Sequence, residues 1–154
     1  METGRRAHRQ NPRLPQEIVA VSRIEHVALA VADLDAAIDH YASVWGLEVS
    51  HRERVDDQGV DEAMLPLGDS HLQLLGSTAP HSTVAKFLQR RGEGLHHIAY
   101  EVDDLEGMLA SLKGKGIELI DEQPRPGGRG HMVAFVHPHS NHGLLVELIQ
   151  RPSA

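Results

Sequence analysis

Apolar and polar residues alternate along IEHVALAV, residues 24–31, and this period of two predicts a strand whose faces differ. Val27, Leu29 and Val31 make the bulkier face, suited to lying under a helix. His26, Ala28 and Ala30 make the other, where the small alanines leave room beside the histidine. Asp33 then stands as a helix N-cap. Leu34, Ala37, Ile38, Tyr41, Ala42 and Trp45 follow at helical spacing, and Gly46 stops them. Three further strands are predicted in LEVSHRE (47–53), VDEAMLPL (60–67) and HLQLLG (71–76).

The pattern then repeats. LHHIAYEVDDL (95–105) aligns with IEHVALAVADL (24–34) at a shift of 71 and shares His26/His97, Ala28/Ala99, Val31/Val102, Asp33/Asp104 and Leu34/Leu105. Leu105, Met108, Leu109 and Leu112 carry the second helix towards Gly116. IELID (117–121), HMVAFVHP (131–138) and GLLVELIQ (143–150) supply its strands. Between the copies, HSTVAKFLQRR reads as a linking helix capped by Ser82, with Val84, Phe87 and Leu88 on one face. The expected fold is α+β: two βαβββ modules, residues 23–80 and 94–150, joined by a helix at 82–91. They form one domain over 23–152 in which a curved mixed sheet surrounds a shared cleft. Residues 1–22, rich in arginine and without periodicity, are expected to be a disordered leader.

Composition narrows the chemistry. There are no cysteines, so disulfides, zinc–thiolate sites and cysteine nucleophiles are excluded. A net charge of −7 leaves no extended basic surface for nucleic acid. No apolar run approaches the ~20 residues that span a bilayer, so no membrane partner is expected. The lack of cysteine fits a reducing cytosol, and a cytoplasmic location is expected. Twelve histidines make a metal site worth seeking.

The repeat points to one. His26 and His97 open the first strand of each module, while Gln73 and Glu147 interrupt the apolar last strands. A lone polar residue in an apolar strand is costly without a partner. Singly, each histidine reads as a hydrogen-bonded structural residue, Gln73 as solvated and Glu147 as exposed. Pseudo-two-fold symmetry instead brings all four together as a mixed N/O set suited to Co²⁺, Mn²⁺, Ni²⁺, Zn²⁺ or Fe²⁺. By the same alternation His96 falls on the opposite face, or at the strand start, and reads as structural or solvated. HPHSNHG (137–143) could offer a second histidine metal site but reads more simply as a turn. RPGGRG (125–130) is a glycine loop able to close over a ligand, without the strand–helix context of a dinucleotide motif.

These residues resemble the vicinal oxygen chelate superfamily and, within it, the methylmalonyl-CoA epimerases. The matching stretches are IEHVALAV, QGVDEAML, HLQLL, STVAKFL, GLHHIAYEVDDL and HPHSNHGLLVELIQ, spanning 24–150. The resemblance implies His26, Gln73, His97 and Glu147 as ligands of a divalent metal, Co²⁺ first, with Mn²⁺, Ni²⁺ or Zn²⁺ as alternatives. It also implies Glu62 as a catalytic base, a residue that otherwise reads as an ordinary surface carboxylate. It implies an acyl-CoA thioester substrate and a homodimer. His139 departs from the lysine of an HPK sequence in many relatives.

The implied reaction is epimerisation of methylmalonyl-CoA at C2 through a metal-stabilised enolate, with Glu62 and Glu147 exchanging protons on opposite faces. Three rivals share the fold. A glyoxalase I would act on a glutathione hemithioacetal, and Gln73 together with Glu62 counts against it. An extradiol dioxygenase has no need of Gln73 as a ligand. A metal-free ligand-sequestering protein would need an aromatic-lined cleft, for which one Trp, two Tyr and two Phe are few.

Overall fold

The computed structural model describes residues 20–151. Its first strand, β1 (Val21–Ala30), lies beside β5 (Gly94–Val102), and these antiparallel neighbours form the middle of an eight-stranded sheet. On one side β1 pairs in parallel with β4 (Ser70–Ser77), followed by β3 (Val60–Leu67) and β2 (His51–Val55). On the other, β5 pairs in parallel with β8 (Val146–Gln150), followed by β7 (Met132–Val136) and the short β6 (Arg125–Pro126). Strand order is therefore β2-β3-β4-β1-β5-β8-β7-β6, the same path out from the centre in both directions. The predicted α+β fold of two βαβββ modules is what forms, as one curled sheet. The leader expected over 1–22 lies outside the described residues up to Gln16, Glu17, Ile18 and Val19, while Val21 and Ser22 already belong to β1.

Three helices complete the structure. Helix α1 (Leu34–Trp45) starts where the Asp33 carboxylate accepts from the Ala36 N–H and ends at Gly46 with φ 67°. Helix α3 (Leu105–Gly114) starts the same way, Asp104 accepting from Gly107. Its end differs slightly from expectation: Lys115 is the C-cap, and Gly116 follows with φ 76°. Each covers the sheet of its own module. Val31, Leu34, Ala63, Leu65 and Leu74 are buried with α1, and Val102, Leu105, Met108, Leu109 and Leu148 with α3. Burying one such side chain is worth roughly 1.5–3 kcal/mol. Trp45, placed on the helical pattern by spacing, is 65% exposed. Helix α2 (Thr83–Arg91), capped by Ser82, packs Val84, Phe87 and Leu88 against Ala28, Ala30, Val60 and Leu75. No helix among the described residues is long and apolar enough to cross a membrane.

Two strand predictions shift. LEVSHRE is a strand only from His51, although Leu47 and Val49 still pack on the core. IELID is not a strand and makes a single bridge, Leu119 to Val136. The reason lies in Asp121. Its carboxylate accepts from the Phe135 N–H (2.9 Å) and from Arg125 Nε (3.2 Å), while Ile120 and Asp121 both donate to the Phe135 carbonyl. A side chain thus takes a place in the ladder that the backbone would otherwise fill. The outer edge is left to Arg125 and Pro126, a residue that suits an edge because it has no N–H to donate.

Candidate functional site

The pairing of the two central strands brings the repeated histidines together. His26 stands opposite Ala99, and His97 opposite Ala28. The same alanines set the other two donors, since Gln73 pairs beside Ala28 and Glu147 beside Ala99 in the parallel ladders. Both alanines are fully buried, so a larger residue at either position would fill the space the donors use. His26, Gln73, His97 and Glu147 are 2%, 6%, 3% and 8% exposed and together line one cavity. His26 Nε2 and His97 Nε2 are 3.1 Å apart, and Glu147 Oε2 lies 2.7 Å from His97 Nε2 and 3.3 Å from His26 Nε2.

This set fits a divalent cation. Two nitrogens each ~2.1 Å from one ion at a right angle lie about 3 Å apart, as these do. The Gln73 side-chain carbonyl Oε1 is buried without a hydrogen-bond partner among the described residues. Such an orphaned acceptor costs about 1–3 kcal/mol unless something fills its lone pairs, and a cation among the four donors does so. His26, His97 and Glu147 form one of two groups among the described residues with mutual spacing suited to a metal. The other, Glu118, His137 and His139, is on the surface, where His137 Nδ1 already accepts from the His139 N–H. HPHSNHG forms the turn expected of it, a 3₁₀ segment at Pro138–Asn141.

Glu62 comes to the cavity from β3. Val60 and Glu62 face the cavity on one side of the strand, and Met64, two residues on, pairs with Gln73 of β4. Gln73 Nε2 donates to Glu62 Oε2 at 3.1 Å, so the amide that offers oxygen to the donor cluster offers nitrogen to Glu62. Burial pushes the Glu62 carboxyl up to about 7, helped by the charges of Glu53 and Glu147. A carboxylate held near neutrality is matched to proton transfer. Burial opposes ionisation of Glu147 as well, but hydrogen bonds from His26 and His97 outweigh it and hold its carboxyl well below the usual range. Burial disfavours protonation of His26, yet Glu147 and Glu25 raise its value to about 9.

The two modules differ where Glu62 stands. Across the pseudo-two-fold the corresponding β7 residue is Val133, since Glu62 pairs with Leu75 as Val133 pairs with Ile149. One wall of the cavity therefore carries a carboxylate and the other an apolar side chain. Val60, Leu75, Val84, Val133, Phe135 and Ile149 make the cavity hydrophobic away from the donors. Phe135 is its one Phe, Tyr or Trp among the described residues, which does not suit an aromatic-lined sequestering cleft. The RPGGRG loop does close over this space, as its composition allows. Gly128 lies against Glu62 so tightly that a Cβ there would sit 2.2 Å from Glu62 Oε1.

His96 corrects the alternation argument. It does not lie on the opposite face but lines the cavity, its Nδ1 2.8 Å from His97 Nδ1 and its ring edge-on to Phe87. The cause is a β-bulge: Ala28 pairs with His97 and Leu29 with Leu95, leaving His96 as the extra residue. Burial, then the neighbouring His97, lowers its value to about 4. Two other residues of the site were missed. Glu25 is buried against His26 Nδ1, and Arg129 reaches Glu25 Oε1 at 2.6 Å. The available signal was that a polar residue precedes the histidine in both copies.

Comparison with known proteins gives the family of the chain. The Glyoxalase/Bleomycin resistance protein/Dioxygenase superfamily matches residues 25–135. The human mitochondrial methylmalonyl-CoA epimerase is 37% identical over 131 residues, 84% of this chain and 74% of the relative. An ethylmalonyl-CoA/methylmalonyl-CoA epimerase of Cereibacter sphaeroides is 36% identical over 132 residues, 84% of this chain and 98% of the relative. Among solved structures, a variant of the Streptomyces coelicolor methylmalonyl-CoA epimerase in complex with 2-nitronate-propionyl-CoA superposes with a TM-score of 0.82 at 39% identity. That alignment covers 88% of this chain and 98% of the other.

Proposed function

Because the chain belongs to the methylmalonyl-CoA epimerase family of the glyoxalase/bleomycin resistance/dioxygenase superfamily, we propose that it interconverts the two C2 epimers of methylmalonyl-CoA. The observation that carries this reading is a carboxylate poised near neutrality, Glu62, hydrogen-bonded to one member of a buried two-histidine, glutamine and glutamate cluster.

His26, Gln73, His97 and Glu147 would hold a divalent ion, with Co²⁺ the first candidate and Mn²⁺, Ni²⁺ or Zn²⁺ as alternatives. Held there, such an ion would supply Lewis acidity that stabilises the negative charge left when C2 loses its proton. The remaining work falls to the chain. Glu62 takes the proton from C2 on its own wall of the cavity. The opposite wall offers Val133 in the corresponding place, so the return proton needs another carrier. Glu147, whose Oε2 faces both imidazoles, is assigned as that carrier. Because its carboxyl is held ionised at rest, it would return a proton to C2 only after taking one up from solvent, as Glu62 releases its own. One proton leaves and one returns, so the composition of the substrate is unchanged.

The cavity of about 210 Å³ is smaller than the ~300–1,000 Å³ of pockets that enclose whole drug-sized ligands. It suits the malonyl head, while the coenzyme arm would extend from the mouth. Ethylmalonyl-CoA adds one methylene, worth only ~1–3 kcal/mol of discrimination, and is a second substrate to assay. The test is deuterium wash-in at C2 of methylmalonyl-CoA in D₂O, with protein loaded with Co²⁺ and after chelation. Exchange that depends on the metal is expected. Absence of exchange with loaded protein would overturn the reading, and formation of a thioester from methylglyoxal and glutathione would replace it with the lyase.

A further inference from the structure

Two of the three register shifts between β1 and β5 occupy equivalent places. In β1, Ile24 pairs with Tyr100 and His26 with Ala99, so Glu25 is the extra residue; in β5 the extra residue is His96. Glu25 and His96 correspond under the repeat, each directly precedes a cluster histidine, and each is turned by its bulge towards that histidine's Nδ1. We propose that Glu25 and His96 are paired positioning residues, which fix the tautomer and the ring orientation of His26 and His97 for a cation at the two Nε2 atoms. Arg129 locks the first of them. The proposal rests on the metal-binding reading above.

The chemistry of the hydrogen bonds sets the direction. An imidazole that offers its Nε2 lone pair to an ion carries its proton on Nδ1. His26 then donates from Nδ1 to Glu25 Oε2, a carboxylate–histidine pairing that orients the ring and makes it a stronger donor. His97 donates from Nδ1 to His96 Nδ1, which requires His96 to be neutral with its own proton on Nε2. The edge contact of His96 with Phe87 holds that ring in place.

The outer partners differ in kind, one an anion and one a neutral ring, so the two ligands are unequal although the backbone around them is nearly symmetric. Glu25, 3% exposed, needs a counter-charge, and Arg129 supplies it from the second module at 2.6 Å. Arg129 is itself held in the left-handed region, φ 55°, and its N–H donates to Glu53 Oε2 at 3.1 Å. A non-glycine residue in that region is strained and persists where surrounding contacts require it. The glycine loop that covers the cavity thus also reaches behind His26.

Co²⁺ affinity, measured by chelator competition and by the visible absorption of the bound ion, tests this. All proteins carry His139→Ala to remove the surface group at Glu118, His137 and His139. Glu25→Gln is expected to weaken Co²⁺ binding about 10–100-fold and His96→Leu about 10-fold, the usual consequence of losing such outer partners. Glu25→Asp should recover part of the loss, and the unfolding temperature of the metal-free variants should stay at that of the parent. Arg129→Ala should weaken binding severalfold alone and add nothing to Glu25→Gln. Parental affinity in both Glu25→Gln and His96→Leu overturns the proposal, as does a loss that follows the metal-free unfolding temperature. Failure of the parent itself to bind Co²⁺ overturns the metal reading instead.

Discussion

Glu62 is the side chain on which the proposed proton transfer turns. Its carboxylate receives a hydrogen bond from Gln73, and burial, helped by the charges of Glu53 and Glu147, raises it to about 7. Glu62→Gln keeps the shape and removes the base. The expected result is a loss of about 10²–10⁴ in kcat with Co²⁺ binding unchanged, and steady-state epimerisation together with metal titration checks it. A wild-type rate would assign the base elsewhere. The four clustered donors were legible in the sequence because the repeat marks them twice. Glu62 was not, except through family resemblance, because its counterpart across the repeat is Val133, so it lacks an echo. Glu25 and His96 were echoed, yet strict alternation turns them away from the cavity. A bulge adds one residue and reverses that inference, and nothing in residue periodicity announces it.

The glycine loop between β6 and β7 carries a prediction of its own. Gly128→Ala places a methyl group where Glu62 Oε1 now lies, so either the loop or the carboxylate must move. Displacing a reacting group by about 1 Å can cost on the order of 10²-fold in rate. Gly128→Ala should therefore lose kcat by about that factor with denaturant stability within about 1 kcal/mol of wild type; full activity would show that Glu62 tolerates the shift. Helix starts were readable because each cap is a single local residue. Asp33→Ala and Asp104→Ala should each cost about 1 kcal/mol in urea unfolding, and their effects should add, as expected for independent sites. A double variant no weaker than either single one would contradict that. IELID was misread for the opposite reason. Its residues have strand-like composition, but the Asp121 carboxylate reaches across to the Phe135 N–H, and such competition between side chain and backbone depends on a partner fourteen residues away.

At the scale of the molecule, the order of elements was readable because the chain states it twice, and the sheet obeys the same rule outward from β1 and β5 in both directions. On the proposed reading, the ion joins the halves. At a free Co²⁺ concentration 100 times its Kd, stability should rise by about 2.7 kcal/mol and fall back on chelation, as followed by denaturant unfolding. No shift would mean that the ion binds the unfolded chain as well or does not bind. Each half contributes one imidazole and one oxygen donor, and the last of these, Glu147, lies in β8, the last strand among the described residues. On that reading the full donor set exists only after β8 has emerged and closed against β5. Products terminated before Glu147 would lack one of the four donors, so on the proposed reading occupancy of this centre reports that both halves are present.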